Sequence, residues 1–358
     1  MIQDLETWYA FIDQSFKKEE TCNTLKKYVK KILLTESPVI FEFTHLSLLL
    51  GINKNYLAKI VNKPDIFYHE FSIPKKNGEH RIIHSPNTLL QGVQRWIYLN
   101  ILSSIKLHEN CIGFRKDYNI KHNASKHLNT DVILKMDLKD FFSSIKKRRV
   151  ISVFRNIGYT RKLSYALASL CCNNNSLPQG APSSPFLSNI IAKRLDIRLS
   201  AFCKKFNLNY TRYADDLTVS GDFISRRMIV YITKIINDED FIVNENKTRL
   251  LYKNNQRIIT GISVCSDKLT IPKKKKREIK QSIYFIKKYG LFEHVQRKNI
   301  SDPIFLERFL GYLYFWKFVE PENKIIETYI SLLKKEIKKT SEVYVDLKEK
   351  EIQFVGLI

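Results

Sequence analysis

The sequence of 358 residues predicts a mixed α/β fold, on three observations. The run DVILKMDL (131–138) has the unbroken apolar density of a buried strand. LNYTRYADDLTVSG alternates on both sides of Ala-Asp-Asp, the pattern of a hairpin with acids at its tip. Around these strands apolar residues recur at helical spacing, and the chain after residue 272 is helical throughout most of its length. No internal repeat or long linker interrupts it, so one compact α/β body with a helical C-terminal part is expected.

The elements follow in order. Leu5, Tyr9, Ile12 and Phe16, then Leu25, Val29 and Leu33, make residues 1–50 helical. Residues 46–61, LSLLLGINKNYLAKIV, read as two short helices joined by Gly-Ile-Asn-Lys. Such a pair is an ordinary packing unit, with a DNA-reading helix-turn-helix as the rival. YHEFSIPKKNGEHRIIHSP predicts a β-hairpin turning at Lys-Lys-Asn-Gly, and 89–107 returns to helix. After the 131–138 strand, Ser143 or Ser144 is expected to cap a helix whose apolar side carries Val150, Val153 and Phe154. Residues 166–176 lead into the Pro-Gly-rich loop LPQGAPSSP (177–185), followed by a helix through 187–203. Residues 222–237 are helical and IITGISV is a short strand. The closing SEVYVDLKEKEIQFVGLI alternates as a strand does.

Composition limits the function. Apolar residues at 44% and aromatics at 12% supply a core and exclude wholesale disorder. Sixty Lys and Arg against 36 Asp and Glu leave a charge of +24, which concentrates polyanions, nucleic acid before anionic membrane. No uncharged apolar run approaches the roughly 18–20 residues that span a bilayer. The acidic, charge-broken start does not read as a signal peptide. Six scattered cysteines without CxxC spacing argue against a zinc site or disulfide framework, and a reducing cytoplasm is the expected compartment.

Three carboxylates each follow an apolar strand: Asp137 ends ILKMD, and Asp215 and Asp216 stand in YADD. Burying bare carboxylates is costly unless a cation neutralises them. If the strand ending at Asp137 lies beside the hairpin, the acids converge on one point. They could then hold two Mg²⁺ about 3.5–4 Å apart for in-line phosphoryl transfer, with Mn²⁺ an acceptable substitute. A lone Asp-Asp is ordinarily a turn dipeptide, and two neighbouring signals change that weighing. LPQGAPSSP exposes backbone N–H groups ahead of a helix, a cradle for phosphate, and Gln179 can bond a base or sugar edge. A plain Pro-rich connector is the alternative. Phe142, in the KDFF that follows Asp137, could lie under the sugar of an incoming nucleotide and exclude a 2′-hydroxyl; a core phenylalanine is the alternative.

MDLKDFF, LPQGAPSSP and YADDLTVS, in this order and spacing, resemble motifs A, B and C of the reverse transcriptases. SIPKKNGEHRIIHSP is similar to that family's fingers hairpin, and INDEDFIVNENKTRLL to its motif D region. HNASKHL fits the Asn-Ala-x-x-His motif of the bacterial retron branch, and IITG (258–261) stands where that branch carries Val-Thr-Gly. The resemblance implies an RNA-directed DNA polymerase of the right-hand architecture, with fingers, a palm of antiparallel sheet plus helices, and a helical thumb. The implied division is 1–50 N-terminal helical extension, 51–130 fingers with part of the palm, 131–257 palm, 258–340 palm–thumb junction and basic thumb, and 341–358 tail.

By the same resemblance Asp137, Asp215 and Asp216 are catalytic and hold the metal. Arg81 with Lys75 or Lys76 grips the incoming triphosphate, Phe142, Gln179 and Gly180 line the dNTP site, and Lys247 approaches the pyrophosphate. Asn123, His127, Thr260 and Gly261 are implied RNA contacts, though a packing histidine is the plain reading of His127 by itself. The implied substrate is a structured RNA from the same locus, copied from a guanosine 2′-hydroxyl to give branched msDNA. An accessory effector in anti-phage defence and a host ribonuclease H acting on the product are the implied partners.

The remaining basic excess gathers in PKKKKREIK (272–280), where Lys273, Lys274, Lys275, Lys276 and Arg277 open a helix continued by Tyr284, Phe285 and Tyr289. Alternating basic and aromatic residues suit RNA or heteroduplex contact, with a solvated lysine face as the alternative. FLERFLGYLYFWKFVEP (305–321) supplies a packing core for this part. Residues 341–358 hold more acids than lysines and are read as a protein-binding tail. The rival functions are a group II intron-like or abortive-infection reverse transcriptase, a non-catalytic RNA-binding scaffold, and a transcription regulator built on 46–61.

Overall fold

Capping residues set where the helices begin. The Asp4 carboxylate accepts the Thr7 N–H at 2.8 Å and opens α1 (Leu5–Ser15). α2 (Glu19–Leu33) lacks a side-chain cap but carries Glu19 and Glu20 in its first turn and Lys30 and Lys31 in its last, matching the helix dipole. α3 (Phe43–Leu50) stops at Gly51, whose φ of 65° is left-handed, and Asn53 caps α4 (Lys54–Asn62). Leu46, Leu57 and Ile60 of this helix pair are buried in the core, as a packing unit requires. The computed structural model describes residues 4–74, 78–302 and 304–355, with side chains up to 339.

The chain divides into two units, Met1–Asn119 with Val132–Leu250, and Ile120–Asp131 with Leu251–Ile358. In the first, β1 (Tyr68–Pro74) and β2 (His80–Pro86) form the expected antiparallel hairpin, with Tyr68 opposite Pro86 and Pro74 opposite His80. Asn87 caps α5 (Thr88–Ile97), which runs into a π-turn over Tyr98–Leu102. α6 (Ile120–Ser125) belongs to the second unit. β3 (Val132–Asp137) then starts the central sheet.

After β3 come α7 (Phe141–Ser144) and α8 (Lys147–Ile157). Here one expectation fails: neither serine caps the longer helix. Ser143 and Ser144 bond back to the carbonyls of Asp140 and Phe141 and close the single turn of α7. Ile145 is extended and α8 begins without a side-chain cap. Val150, Val153 and Phe154 do face the core.

α9 (Arg161–Cys171) precedes the Pro-Gly loop, and the helix expected over 187–203 is two, α10 (Ser184–Ile191) and α11 (Lys193–Lys205), broken at Ala192. β4 (Asn209–Tyr213) and β5 (Asp216–Gly221) form the hairpin, and α12 (Arg226–Asp238) leads to β6 (Arg249–Tyr252). The sheet order is β4-β5-β3-β6, with β3 antiparallel to β5. Residues of both strand faces are buried, including Leu134, Met136, Leu217, Thr218 and Val219, so helices cover the sheet and the acids at its end need a polar opening.

In the second unit IITGISV is a miniature hairpin, not one strand. β7 (Ile258–Ile259) pairs with β8 (Ile262–Ser263) across Thr260–Gly261. Both turn residues have positive φ, 45° and 85°, the demand of a type I′ turn. α6 packs on this hairpin, which is why 120–131 groups with the C-terminal residues. α13 (Lys273–Tyr289), α14 (Leu291–Arg297), α15 (Phe305–Val319) and α16 (Lys324–Val355) complete the unit around Ile279, Ile283, Phe309, Leu313, Trp316 and Ile326. Up to Val355, α16 overturns the strand expected over 341–358, whose last three residues lie outside the described ones. A helix nucleated at Lys324 extends at little cost through the Glu- and Lys-rich stretch that follows. Among the described residues no helix is long and apolar enough to cross a membrane.

Candidate active site

The acids meet because of strand register. Asp137 and Asp216 are direct partners across β3 and β5, and the Leu138 N–H donates to the Asp215 carbonyl at 2.9 Å. Ala214, with φ 58°, makes the tight turn that sets Asp215 between the strands of the hairpin. The segment after α12 is stitched alongside: Lys139 N–H donates to Ile242 O at 2.7 Å and Asn244 N–H to Asp137 O at 2.7 Å. This brings Lys247 to the Asp137 carboxylate, its Nζ 2.9 Å from Oδ1 and 3.0 Å from Oδ2.

Electrostatics follow from this crowding. Burial and the Asp216 and Asp137 charges push the Asp215 carboxyl up to about 6, against the pull of Lys247. Burial likewise raises Asp216, with Lys135 opposing. The bond to Asp137 holds the Lys247 ammonium above its ordinary value. Three carboxylates thus face two lysines, Lys247 and Lys135, and negative charge is in excess. Oxygen donors with unmet negative charge suit a hard divalent cation. Among the described residues no cluster of three or more His, Cys, Asp or Glu is preassembled for a metal, and Asp137 is engaged by Lys247 instead.

The Pro-Gly loop is clamped to the first hairpin. His84 N–H donates to Gln179 O at 2.9 Å, and Gly180 adopts φ +120° with its backbone against Ile83 and His84. A Cβ there would stand 2.8 Å from Ile83 Cγ2 and 2.9 Å from His84 O, so only glycine fits. Arg81 is exposed on β2. Lys75 and Lys76 lie outside the described residues. Phe142 is partly buried on α7, its ring 5.4 Å from Phe141 and 6.3 Å from Phe114.

The expected RNA contacts divide. Asn123 and His127 are 1% and 0% exposed, so neither offers its side chain at the surface, against the expectation of direct contact. Asn123 Nδ2 reaches Thr260 Oγ1 at 3.5 Å, and Thr260 Oγ1 donates to Ile120 O at 3.4 Å, which ties α6 to the β7–β8 turn. Burial and Lys126 push the His127 imidazole down to about 3, so it is neutral. Gly261 stays exposed. In the lysine run, Lys276 is paired with Glu320 at 2.7 Å, and Lys275 sits 3.4 Å over the Tyr312 ring. Lys273, Lys274 and Arg277 are exposed.

One group of residues escaped the sequence reading. Arg212 in β4 is fully buried and bonds Asp196 of α11 at 2.7 Å through both Nε and Nη2. Nη1 also reaches Asn189 Oδ1 at 3.0 Å and Ala214 O at 3.2 Å, and Tyr210 OH donates to Asp196 at 2.8 Å. Asn189 in turn donates to Gly113 O at 2.8 Å. Burial works against the Arg212 charge, but Asp196 outweighs it. The available signal was a charge inside each apolar stretch, Arg in NYTRY and Asp in RLDIRL.

Residues 73–356 match the family model described as reverse transcriptase (RNA-dependent DNA polymerase). The Retron Ec86 reverse transcriptase of Escherichia coli is 34% identical over 83% of this chain and 91% of its own length. This chain is a retron reverse transcriptase. The Retron Ec73 reverse transcriptase of Escherichia coli is 28% identical over 75% of this chain and 88% of its own length. The Retron Mx65 reverse transcriptase of Myxococcus xanthus is 31% identical, with 67% of this chain matching 60% of that protein. The mixed fold is therefore that of the right-hand polymerases, and the reverse transcriptase is an RNA-directed DNA polymerase, a class that works with divalent metal ions on an RNA template and dNTPs.

Proposed function

We propose that this reverse transcriptase recognises its own structured non-coding RNA and copies part of it from a guanosine 2′-hydroxyl, giving branched RNA–DNA. The observation that carries the polymerase chemistry is the register pairing of Asp137 with Asp216, beside Asp215. These three aspartates would hold two Mg²⁺, which supply acidification of the attacking hydroxyl and charge stabilisation at the transferring phosphate. Arg81 faces the triphosphate, and Phe142 bears on the sugar. The Gln179–Gly180 backbone, fixed to β2, lines the same nucleotide. Lys247 leaves Asp137 to meet the departing pyrophosphate. Lys273, Lys274 and Arg277 grip RNA phosphates, with exposed Tyr284 as a stacking surface. The product is completed by a host ribonuclease H and, with an accessory effector, serves anti-phage defence.

The test is a gel of RNase-treated small nucleic acid from cells expressing the gene with its native flanking DNA, beside the Asp215→Ala, Asp216→Ala double variant. A discrete DNA that vanishes in the variant and shifts on debranching supports the reading. A variant-sensitive DNA without the shift removes branched priming and keeps the polymerase. No DNA from soluble protein and expressed RNA overturns both.

A further inference from the structure

Phe114 is held where its side chain has little structural use. Its φ of 56° is left-handed, a conformation that a bulky residue rarely takes, and the residue is 43% exposed. Both sides of it are fixed. Before it, Gly113 lies so close to the YADD turn that a Cβ would stand 2.7 Å from Ala214 N, and Gly113 O accepts from the buried Asn189 at 2.8 Å. After it, Arg115 bonds His108 O at 3.1 Å and lies 4.1 Å over the Tyr118 ring. The ring of Phe114 stands 6.3 Å from Phe142 and 6.4 Å from Tyr213, the residue that leads into Ala-Asp-Asp. A strained backbone that presents an apolar ring to solvent beside the acids is the mark of a site, since stability alone would favour Gly or Asn there.

We propose that Phe114 is a specificity-determining residue: with Phe142 and Tyr213 it forms an aromatic wall against the sugar of the incoming nucleotide. This rests on the polymerase reading above. Phe142 alone is partly buried against Phe141; Phe114, its ring 6.3 Å away and more exposed, would add a second aromatic surface to the wall. The buried Arg212–Asn189 network fixes Phe114 to the same turn as Asp215, so wall and acids keep one spacing.

The experiment compares wild type, Phe114→Asn and Phe114→Tyr in single-nucleotide extension of a DNA primer on an RNA template, with dTTP and with UTP. Asn accepts the left-handed backbone, so the fold is preserved and the unfolding midpoint should hold or rise. In Phe114→Asn the dTTP-over-UTP ratio of kcat/KM should fall roughly tenfold or more, mainly through a higher KM for dTTP and better use of UTP. Phe114→Tyr should restore most of the ratio. Wild-type extension with an unchanged ratio in Phe114→Asn overturns the inference alone. A wild-type chain that extends nothing overturns it together with the polymerase reading.

Discussion

Arg212 and Asp196 form a fully buried ion pair, 2.7 Å from Nη2 to Oδ2, and the same guanidinium bonds the Ala214 carbonyl at the turn that carries Asp215. The pair couples helix α11 to the acidic hairpin. Removing one partner strands the other. Asp196→Ala should therefore cost about 3–5 kcal/mol in urea unfolding, whereas Arg212→Met with Asp196→Leu should cost clearly less. The double variant should nonetheless synthesise DNA at least about tenfold more slowly, because Ala214 O is left without its donor. Equal stability losses in the single and double variants would remove the coupling.

Asp215 gives a pH signature. In the metal-free protein its carboxyl is raised from 3.8 to about 6, so folding favours the protonated form. The stability this provides is whole below the unfolded value and lost as pH rises through about 6. Asp215→Asn should then stabilise the chelated protein, by an order of 2–3 kcal/mol at pH 8 and by less at pH 5, while abolishing synthesis. Urea midpoints in EDTA at the two pH values provide the check. In wild type, Mg²⁺ affinity should weaken as pH falls through about 6, because binding must release that proton.

Gly180 is a sterically confined point of the Pro-Gly loop. Gly180→Ala adds a Cβ against Ile83 Cγ2 and His84 O at φ +120°, and should cost about 1–3 kcal/mol. If the loop lines the dNTP as proposed, KM for dNTP should rise more than kcat falls. A KM equal to that of wild type would detach the loop from nucleotide binding.

The lysine run should separate into two functions. Replacing Lys273, Lys274 and Arg277 by Ala should flatten the salt dependence of RNA affinity by roughly 0.7–0.9 log units for each phosphate that is no longer neutralised. Lys276→Ala breaks the pair with Glu320, a carboxylate that also accepts the Ile271 N–H at 2.9 Å, and should lower the unfolding midpoint with little change of slope. A steep slope change in Lys276→Ala would return that residue to the RNA surface.

The sequence by itself determined the strand ending at Asp137, the hairpin carrying Asp215 and Asp216, the β1–β2 hairpin and the helical C-terminal part. These are legible because period-two and helical apolar patterns are local, and because acids after apolar strands stand out against the cost of burial. The order of motifs was equally legible and pointed to the family.

Tertiary structure decided what depends on residues distant in the chain. Whether Asp137 faces Asp216 depends on a register set by strands far apart in sequence. Lys247 reaches Asp137 only because the Leu138–Val243 bridge runs alongside. That Asn123 and His127, implied as RNA contacts, are buried, and that Lys276 pairs with Glu320, likewise depends on residues brought together by the fold. Arg212 is one more charge in the sequence, and only the fold surrounds it with Asp196, Asn189 and Ala214. A buried charge is tolerated only with partners, and only the folded chain supplies them.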